Sequence, residues 1–275
     1  MKTWFITGVS RGFGKALAEA ALARGDKVIG TIRSDNPGIA DPEGGLTLVK
    51  LDVTDRDAVR RAVESAFADA GRIDVIVNNA GYGMLGATEA ITDEQLDHVF
   101  AVNFFGTYAV CRAAAPFLRK QRSGHIINIT SMGGRRAAPG AGAYAATKFA
   151  VEGMGHALHA EMEPFGVRVT SVEPGAFRTD FLSDHSIRMA DRIEEYDDTV
   201  GVFYDRLASA SGLQPGDPVR AAEAMIKLVE MPDPPFQLLL GRDAYESVGD
   251  EVERQRRELA AHKELSLSTD FPQGT

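Results

Sequence analysis

Short apolar, β-rich runs alternate along this chain with longer alanine-rich stretches, and that alternation restricts the fold more than any other feature. The β-rich runs are TWFIT (residues 3–7), KVIGT (27–31), LTLVKLDV (46–53), IDVIVNN (73–79), HIINITS (125–131), VRVTSVE (167–173) and FQLLL (236–240). Between them, Lys15 to Arg24, Asp55 to Ala70 and Thr92 to Lys120 carry apolar residues at helical spacing. Strand–helix alternation of this kind predicts an α/β fold: a doubly wound parallel sheet of about seven strands covered by helices on both faces. At 275 residues the chain is expected to form a single domain.

Ligands of such sheets bind beyond the carboxyl ends of the strands. The unusual residues gather there: TGVSRGFG after the first run, RS after the second, DVTD after the third, NNAG after the fourth, TSMGG after the fifth and EPGAF after the sixth. Six consecutive exits therefore point at one crevice.

TGVSRGFG sets Gly8, Gly12 and Gly14 on the turn into the first helix, with Ser10, Arg11 and Phe13 between them. Glycines let the backbone approach a pyrophosphate, whose charge then faces free N–H groups at the positive end of the helix. The second exit, GTIRSDN, decides which dinucleotide is bound. An acidic residue there would take the ribose hydroxyls of NAD, whereas an arginine can clamp a 2′-phosphate. Arg33 and Ser34, with Arg11 nearby, favour NADP over NAD, and Asp35 reads as a turn residue further out. Asp52, followed by Val53, is placed to meet the adenine edge, although a turn-forming aspartate explains it nearly as well.

In YAATK, Tyr144 and Lys148 stand one helical turn apart and address the same small volume. Alone, the pair could be a surface tyrosine beside a solvated lysine. Together, however, TGVSRGFG, NNAG (78–81), Ser131, YAATK and EPG resemble the short-chain dehydrogenase/reductase family, in order from residue 3 to about 180. The resemblance implies a single-domain Rossmann fold, a nicotinamide cofactor, and hydride transfer between the nicotinamide and a carbonyl or alcohol. It maps the catalytic residues to Asn103 in VNFFG, Ser131, Tyr144 and Lys148, and has Asn103 hold a water in a proton relay beginning at Lys148. LGRDAYESV and LSLSTDF further resemble bacterial enzymes related to the 17β-hydroxysteroid and retinol dehydrogenase branch. The chain departs from the family at Glu173, where a polar residue such as asparagine commonly precedes Pro174.

The chemistry gives the spacing a reason. Reduction of a carbonyl requires a proton at the oxygen, and a tyrosine with a pKa of about 10 is a poor acid–base group near neutrality. Bringing it to neutrality takes about 4 kcal/mol of preferential stabilisation of the phenolate. Lys148 is expected to supply this charge and to hold the nicotinamide ribose, and Ser131 to aim the substrate oxygen at Tyr144. Asn79, Ala80 and Gly81 are expected to fix the backbone around the adenosine ribose, with turn formation as the alternative. PGAFRT, with Pro174 and Gly175, resembles the segment that meets the nicotinamide amide, and Thr179 is its candidate side chain.

Other classes fare worse. A net charge of -9 disfavours nucleic acid, which needs a basic surface. The single cysteine, Cys111, precludes an internal disulfide. No apolar run approaches the about 18 residues of a membrane span, and no secretory signal is evident, so a cytoplasmic protein is expected. Glu152, His156 and His159 share a helical face but lack further ligands, so no metal is expected and the face reads as solvated or intersubunit. Residues 180–215 mix charges with Ile187, Met189, Tyr196, Phe203, Tyr204 and Leu207, as in a substrate lid or the core face of short helices. Residues 242–275 read as a C-terminal helical extension. The family resemblance implies pairing of the helices near 92–120 and 143–165 into a homodimer or homotetramer.

The expected activity is thus NADP-dependent oxidation or reduction of a small lipophilic alcohol or carbonyl substrate. An NAD-dependent alcohol dehydrogenase is the alternative, followed by an epimerase or dehydratase with tightly held NAD and by a non-catalytic NADP sensor.

Overall fold

The computed structural model describes residues 1–33, 38–41, 44–179, 181 and 186–271. Ser34 and Asp35, both weighed above, lie outside them.

All seven expected strands form. They are β1 (Thr3–Ile6), β2 (Lys27–Ile32), β3 (Leu46–Lys50), β4 (Val75–Asn78), β6 (Gly124–Ile129), β7 (Val167–Pro174) and β9 (Gln237–Leu240). They make one parallel sheet in the order β3-β2-β1-β4-β6-β7-β9. The chain works outward from β1 to β3 and then crosses back to lay β4 on the other side of β1. The exits of β1 and β4 therefore flank the point where the strand order reverses, and an open α/β sheet has its crevice there.

Alternation along the strands builds two cores. Phe5, Ile76, Ile126 and Val169 face α2 (Arg56–Ala70), α3 (Asp93–Phe100), α4 (Thr107–Gln121) and α5 (Gly142–Met162). Trp4, Ile6, Val75, Val77, Ile127 and Val172 face α1 (Gly12–Leu22) and α7 (Pro218–Glu230). Neighbouring residues of one strand thus serve opposite layers, as its two-residue period dictates. Local signals set the helix starts: Asp55 caps α2 by accepting from Ala58 N at 2.9 Å, and Thr92 with Gln95 makes a reciprocal capping box on α3.

Two features go beyond the expected plan. The run from residue 92 to 121 is interrupted by a π-helical turn, Ala101–Gly106, centred near Asn103. A second, two-stranded sheet pairs β5 (Gly83–Leu85) with β8 (Ile187–Met189) and ties the segment after β7 to the segment after β4. Gly83 N donates to Ser186 O at 2.8 Å and Ala190 N to Leu85 O at 2.7 Å. Beyond β8 runs α6 (Val202–Ala210), and beyond β9 run α8 (Arg242–Ala261) and α9 (Lys263–Leu267). No helix among the described residues is long and apolar enough to cross a membrane.

Candidate active site

At the exit of β1 the glycine loop is formed by close approach. Gly8 and Gly12 take φ of +73° and +58°, which side-chain-bearing residues rarely adopt. A Cβ on Gly14 would stand 2.3 Å from Gly8 O and 2.4 Å from Asn79 Nδ2, so the loop has no room for a side chain there. Ser10 and Arg11 are half-buried on the turn, Arg11 occupies the N-cap position of α1, and Phe13 packs edge-on against Phe177 at 5.0 Å.

Thr7, which the sequence reading left without a role, joins this loop to the exit of β4. Its hydroxyl accepts from Asn79 N and Ala80 N, each at 3.0 Å, while Asn79 Nδ2 donates to Thr7 O at 3.0 Å and Gly8 O at 2.9 Å. The Asn79 amide is thus committed to the glycine-loop backbone, as a tie between the exits of β1 and β4. A Cβ on Gly81 would lie 3.1 Å from Asn103 Oδ1 and 3.7 Å from Lys148 Nζ, which sets the end of NNAG against the catalytic candidates.

Arg33 is exposed at the end of β2, and its charge acts on both Asp52 and His98. Asp52 is held below the usual carboxylate range, first by the Thr54 backbone N–H. Its Oδ1 accepts from Thr54 N at 2.9 Å and from Thr54 Oγ1 at 2.8 Å, so it is a turn former in this structure. Val53 is buried, and the Gly106 backbone packs so closely on it that a Cβ there would meet Val53 Cγ2 at 2.9 Å.

Asn103, 1% exposed, has its amide fully engaged: Oδ1 accepts from Tyr82 N at 3.0 Å, and Nδ2 donates to Tyr82 O at 2.9 Å and Thr147 Oγ1 at 3.1 Å. Its backbone carbonyl accepts from Thr107 Oγ1 at 2.9 Å. Asn103 therefore both distorts the helix and ties the chain after Gly81 to α5.

Ser131, at the exit of β6, begins a 3₁₀ turn (Met132–Gly134), and its Oγ accepts from Gly133 N at 3.0 Å. The Tyr144 phenol is half-buried on α5 and hydrogen-bonded to Ser131, with its ring 5.9 Å from that of Phe181. Lys148 Nζ donates to Ile129 O at 2.9 Å and lies 5.7 Å from the Tyr144 ring centroid. The spacing thus brings phenol, hydroxyl and ammonium together, as the sequence implied.

The electrostatics differ from expectation. Desolvation pushes the Tyr144 phenol up to about 12, with the Ser131 hydroxyl opposing, instead of drawing it toward neutrality. Desolvation brings Lys148 down to about 8, opposed by the Glu152 carboxylate one turn further along α5. Lys148 directs its ammonium at a backbone carbonyl, so the phenol gains little from it in the protein by itself.

At the exit of β7, Gly175 N donates to Leu240 O at 2.9 Å, and a Cβ on Gly175 would strike Asp243 Oδ1 at 2.3 Å. Pro174 pairs in register with Leu240. Thr179 faces the glycine loop, its Cβ 3.8 Å from the Cβ position of Gly12, and its Oγ1 accepts from Phe181 N at 3.3 Å. Loops from β1, β4, β6 and β7 therefore close on one crevice. A turn at Gly8 and Gly12 that excludes side chains, set at the start of α1 beside Thr179, fits a dinucleotide phosphate.

The reading of Glu152 as part of a solvated face is corrected: it is 4% exposed and faces Glu173, because its position one turn after Lys148 carries it under α5. His156 and His159 pack around Phe236 instead, with ring centroids 4.3 and 5.2 Å away. Among the described residues no group of three or more metal-ligating side chains converges. The i, i+4, i+8 series Tyr144, Lys148, Glu152 was the signal in the sequence that Glu152 belongs to the site.

Comparison with known proteins agrees with this geometry. The family model for short chain dehydrogenases matches residues 2–189. An oxidoreductase of Botryotinia fuckeliana, BOA17, is 40% identical over 98% of this chain and 99% of its own. A 3-ketodihydrosphingosine reductase of Bacteroides thetaiotaomicron is 38% identical over 86% of each. A short-chain dehydrogenase from Streptomyces avermitilis superimposes with a TM-score of 0.91, at 37% identity, over 98% of this chain and 100% of that one. A Burkholderia cenocepacia member solved with NADP superimposes at 0.74, with 26% identity over 95% and 98% of the two chains. With its seven-stranded parallel sheet and its tyrosine and lysine one turn apart beside a glycine loop, the chain belongs to the short-chain dehydrogenase family and is an oxidoreductase acting between CH–OH and C=O.

Proposed function

We propose that this protein is an NADP-dependent carbonyl reductase, also able to run as an alcohol dehydrogenase, for a small lipophilic substrate. The convergence of Ser131, Tyr144 and Lys148 beside the glycine loop carries the reading. When bound, the nicotinamide supplies the hydride. Tyr144, a neutral phenol at neutral pH as an ordinary tyrosine is and held more firmly so by desolvation, gives its proton to the carbonyl oxygen as negative charge develops there. The Ser131 hydroxyl orients that oxygen by a hydrogen bond. Lys148 then stabilises the phenolate left on Tyr144 and, with Asn103 holding the chain next to Gly81, positions the ribose side of the crevice. Gly8, Gly12 and Gly14 receive the pyrophosphate, and Thr179 the nicotinamide amide.

Arg33 and Arg11 favour a 2′-phosphate, and the NADP-bound Burkholderia relative is in keeping with this. NAD is the alternative. The described part of residues 180–215, which leaves out 180 and 182–185, serves as the lid: Phe181 and Ile187 pack on Gly83, and Val200 and Tyr204 on Gly140, which gives the crevice an apolar wall. The Bacteroides relative, a ketone reductase by its name, suits the same substrate class. Phe105, Tyr108 and Phe149 are 40–46% exposed on the π turn, α4 and α5, and favour pairing of copies into a dimer or tetramer in the cytoplasm. Light scattering showing only monomer at all concentrations would remove that part.

The test is titration with NADPH and NADH of the wild type and Arg33→Ala, followed by a carbonyl screen that includes Tyr144→Phe. NADPH preference lost in Arg33→Ala, with turnover abolished but NADPH affinity kept in Tyr144→Phe, is expected. Equal affinity for the two cofactors overturns the NADP assignment, and turnover retained in Tyr144→Phe overturns the proton-donor role.

A further inference from the structure

Behind Lys148 lies a buried charge cluster that hydride transfer itself does not use. Glu152 on α5 and Glu173 on β7 are 4% and 0% exposed, and the Glu152 carboxyl lies near enough to act on that of Glu173. Arg135 Nη1 reaches Glu173 Oε1 and Oε2 at 3.2 and 3.3 Å. Gln237 Nε2 donates to Glu152 Oε2 at 3.1 Å. Glu152 Oε1 is buried and meets no donor among the described groups.

Ionised carboxylates only accept, so two of them so placed leave no donor between them. One proton resolves both the pairing and the orphaned oxygen. We infer that Glu152 and Glu173 share a proton, carried by Glu173 and donated to Glu152 Oε1, and that this acid–carboxylate pair sets the charge that Lys148 experiences from behind. Glu152 is thereby a positioning residue for the catalytic lysine, a role that rests on the reading of Lys148 given above.

Burial, then the Glu152 charge, raise Glu173 to about 7, against the opposing Arg135 guanidinium. Lys148, brought down to about 8 by burial, has Glu152 as its stabilising neighbour. The charged groups facing the pair are Lys148 from α5 itself and Arg135 from the turn after Ser131. β9 contributes the neutral Gln237, and His156, one turn on, is exposed and turned to Phe236. With the proton in place the cluster holds two cations and one anion. As pH rises through about 7 the proton on Glu173 leaves for solvent, Glu152 regains its full charge, and Lys148 keeps its own proton to higher pH. The pair is a charge buffer for the lysine.

Two measurements on the intact protein test this without any substrate, so failure to find a carbonyl substrate leaves them valid. Infrared difference spectra should show a protonated-carboxyl stretch that vanishes as pH rises through neutrality. It should be missing from Glu173→Gln and titrate at lower pH in Glu152→Gln. The Nζ titration of Lys148, followed by NMR and assigned with Lys148→Arg, should fall by about one pH unit in Glu152→Gln, equivalent to a tenfold loss of proton affinity. Glu173→Gln keeps a donor on Glu152 at every pH, so it should also lower the Lys148 titration. That variant carries the test alone if Glu152→Gln does not fold. A wild-type spectrum identical to that of Glu173→Gln overturns the shared proton. An unmoved Lys148 titration overturns the coupling.

Discussion

Gly14 and Asn79 meet so closely that a Cβ on residue 14 would stand 2.4 Å from Asn79 Nδ2, and the same Cβ would press on Gly8 O at 2.3 Å. The side chain that joins the β4 exit to the glycine loop therefore passes directly over the first turn of α1. Gly14→Ala should force that turn outward, as overpacking does at a cost of about 1–3 kcal/mol. The expected outcome is a lower melting temperature and NADPH affinity reduced by about tenfold or more, read by fluorescence titration. Affinity equal to wild type would show that the loop has slack the geometry denies.

Lys148 holds its charge in a place that disfavours it. Its pKa in the folded protein, about 8 against an ordinary 10.5, means that the unfolded chain binds the proton more tightly. The sign follows from linkage: stability rises as pH increases from 8 to 10.5 and is penalised below. Lys148→Met should thus abolish turnover and yet raise stability at neutral pH by about 2–3 kcal/mol, less the lost bond to Ile129 O. Denaturant titrations at neutral pH and near pH 10 would find the gain at the first and little of it at the second; a destabilised variant at neutral pH contradicts the argument.

His125 contributes in the opposite range of pH. Thr170 Oγ1 gives its proton to Pro235 O at 2.7 Å, so His125 Nε2, 2.9 Å away, donates to Thr170 while buried Nδ1 has no partner. Burial, aided by Arg168 and Lys2, depresses the imidazole to about 3 from 6.5. Its neutral form therefore stabilises the fold fully above pH 6.5, and that stability is lost as pH falls toward 3. The loss over this window is about 5 kcal/mol. His125→Leu should flatten the acid limb of the stability–pH curve by that order, and parallel curves would exclude His125 as its source.

Gly86 packs tightly at the end of the β5–β8 strap. A Cβ there would meet Ile91 Cδ1 at 2.6 Å and Ala190 Cβ at 2.7 Å, just past β8. Gly86→Val should displace the β5–β8 pair, raising KM for apolar carbonyls severalfold while leaving NADPH affinity near wild type. An equal loss in both would place the strap against the cofactor and not the substrate.

How much of this was legible depended on how local the cause was. The seven strands of the main sheet were readable because each is fixed by a few adjacent side chains, and Asp55 and Thr92, which the structure shows to be caps, stand at the starts of runs read as helical. Tyr144 and Lys148 were readable because four residues on a helix are one turn. The β5–β8 pair was not, since GML and IRM are three residues each and hydrogen-bond across a separation of about a hundred residues. The Tyr144 phenol was misjudged for a related reason: charge spacing is written in the sequence, whereas desolvation is a property of everything packed around it. Glu173 and Arg135 lie 38 residues apart, and only the fold makes them partners.

The π turn at Ala101–Gly106 has a consequence for how the site and the core are kept separate. One extra residue in an α-helix rotates all that follows by about 100°, whereas a wide turn absorbs that residue locally. Val99 before the turn, Val102 within it and Val110 after it all reach the same core, while the Asn103 amide beside Val102 turns to Tyr82 and Thr147. Deleting one residue from the turn would restore a regular helix with its two flanking segments still in phase, and would remove the bulge on which the Asn103 amide sits. The helix works here as two phased segments joined by a gasket, and the Asn103 amide sits in the gasket.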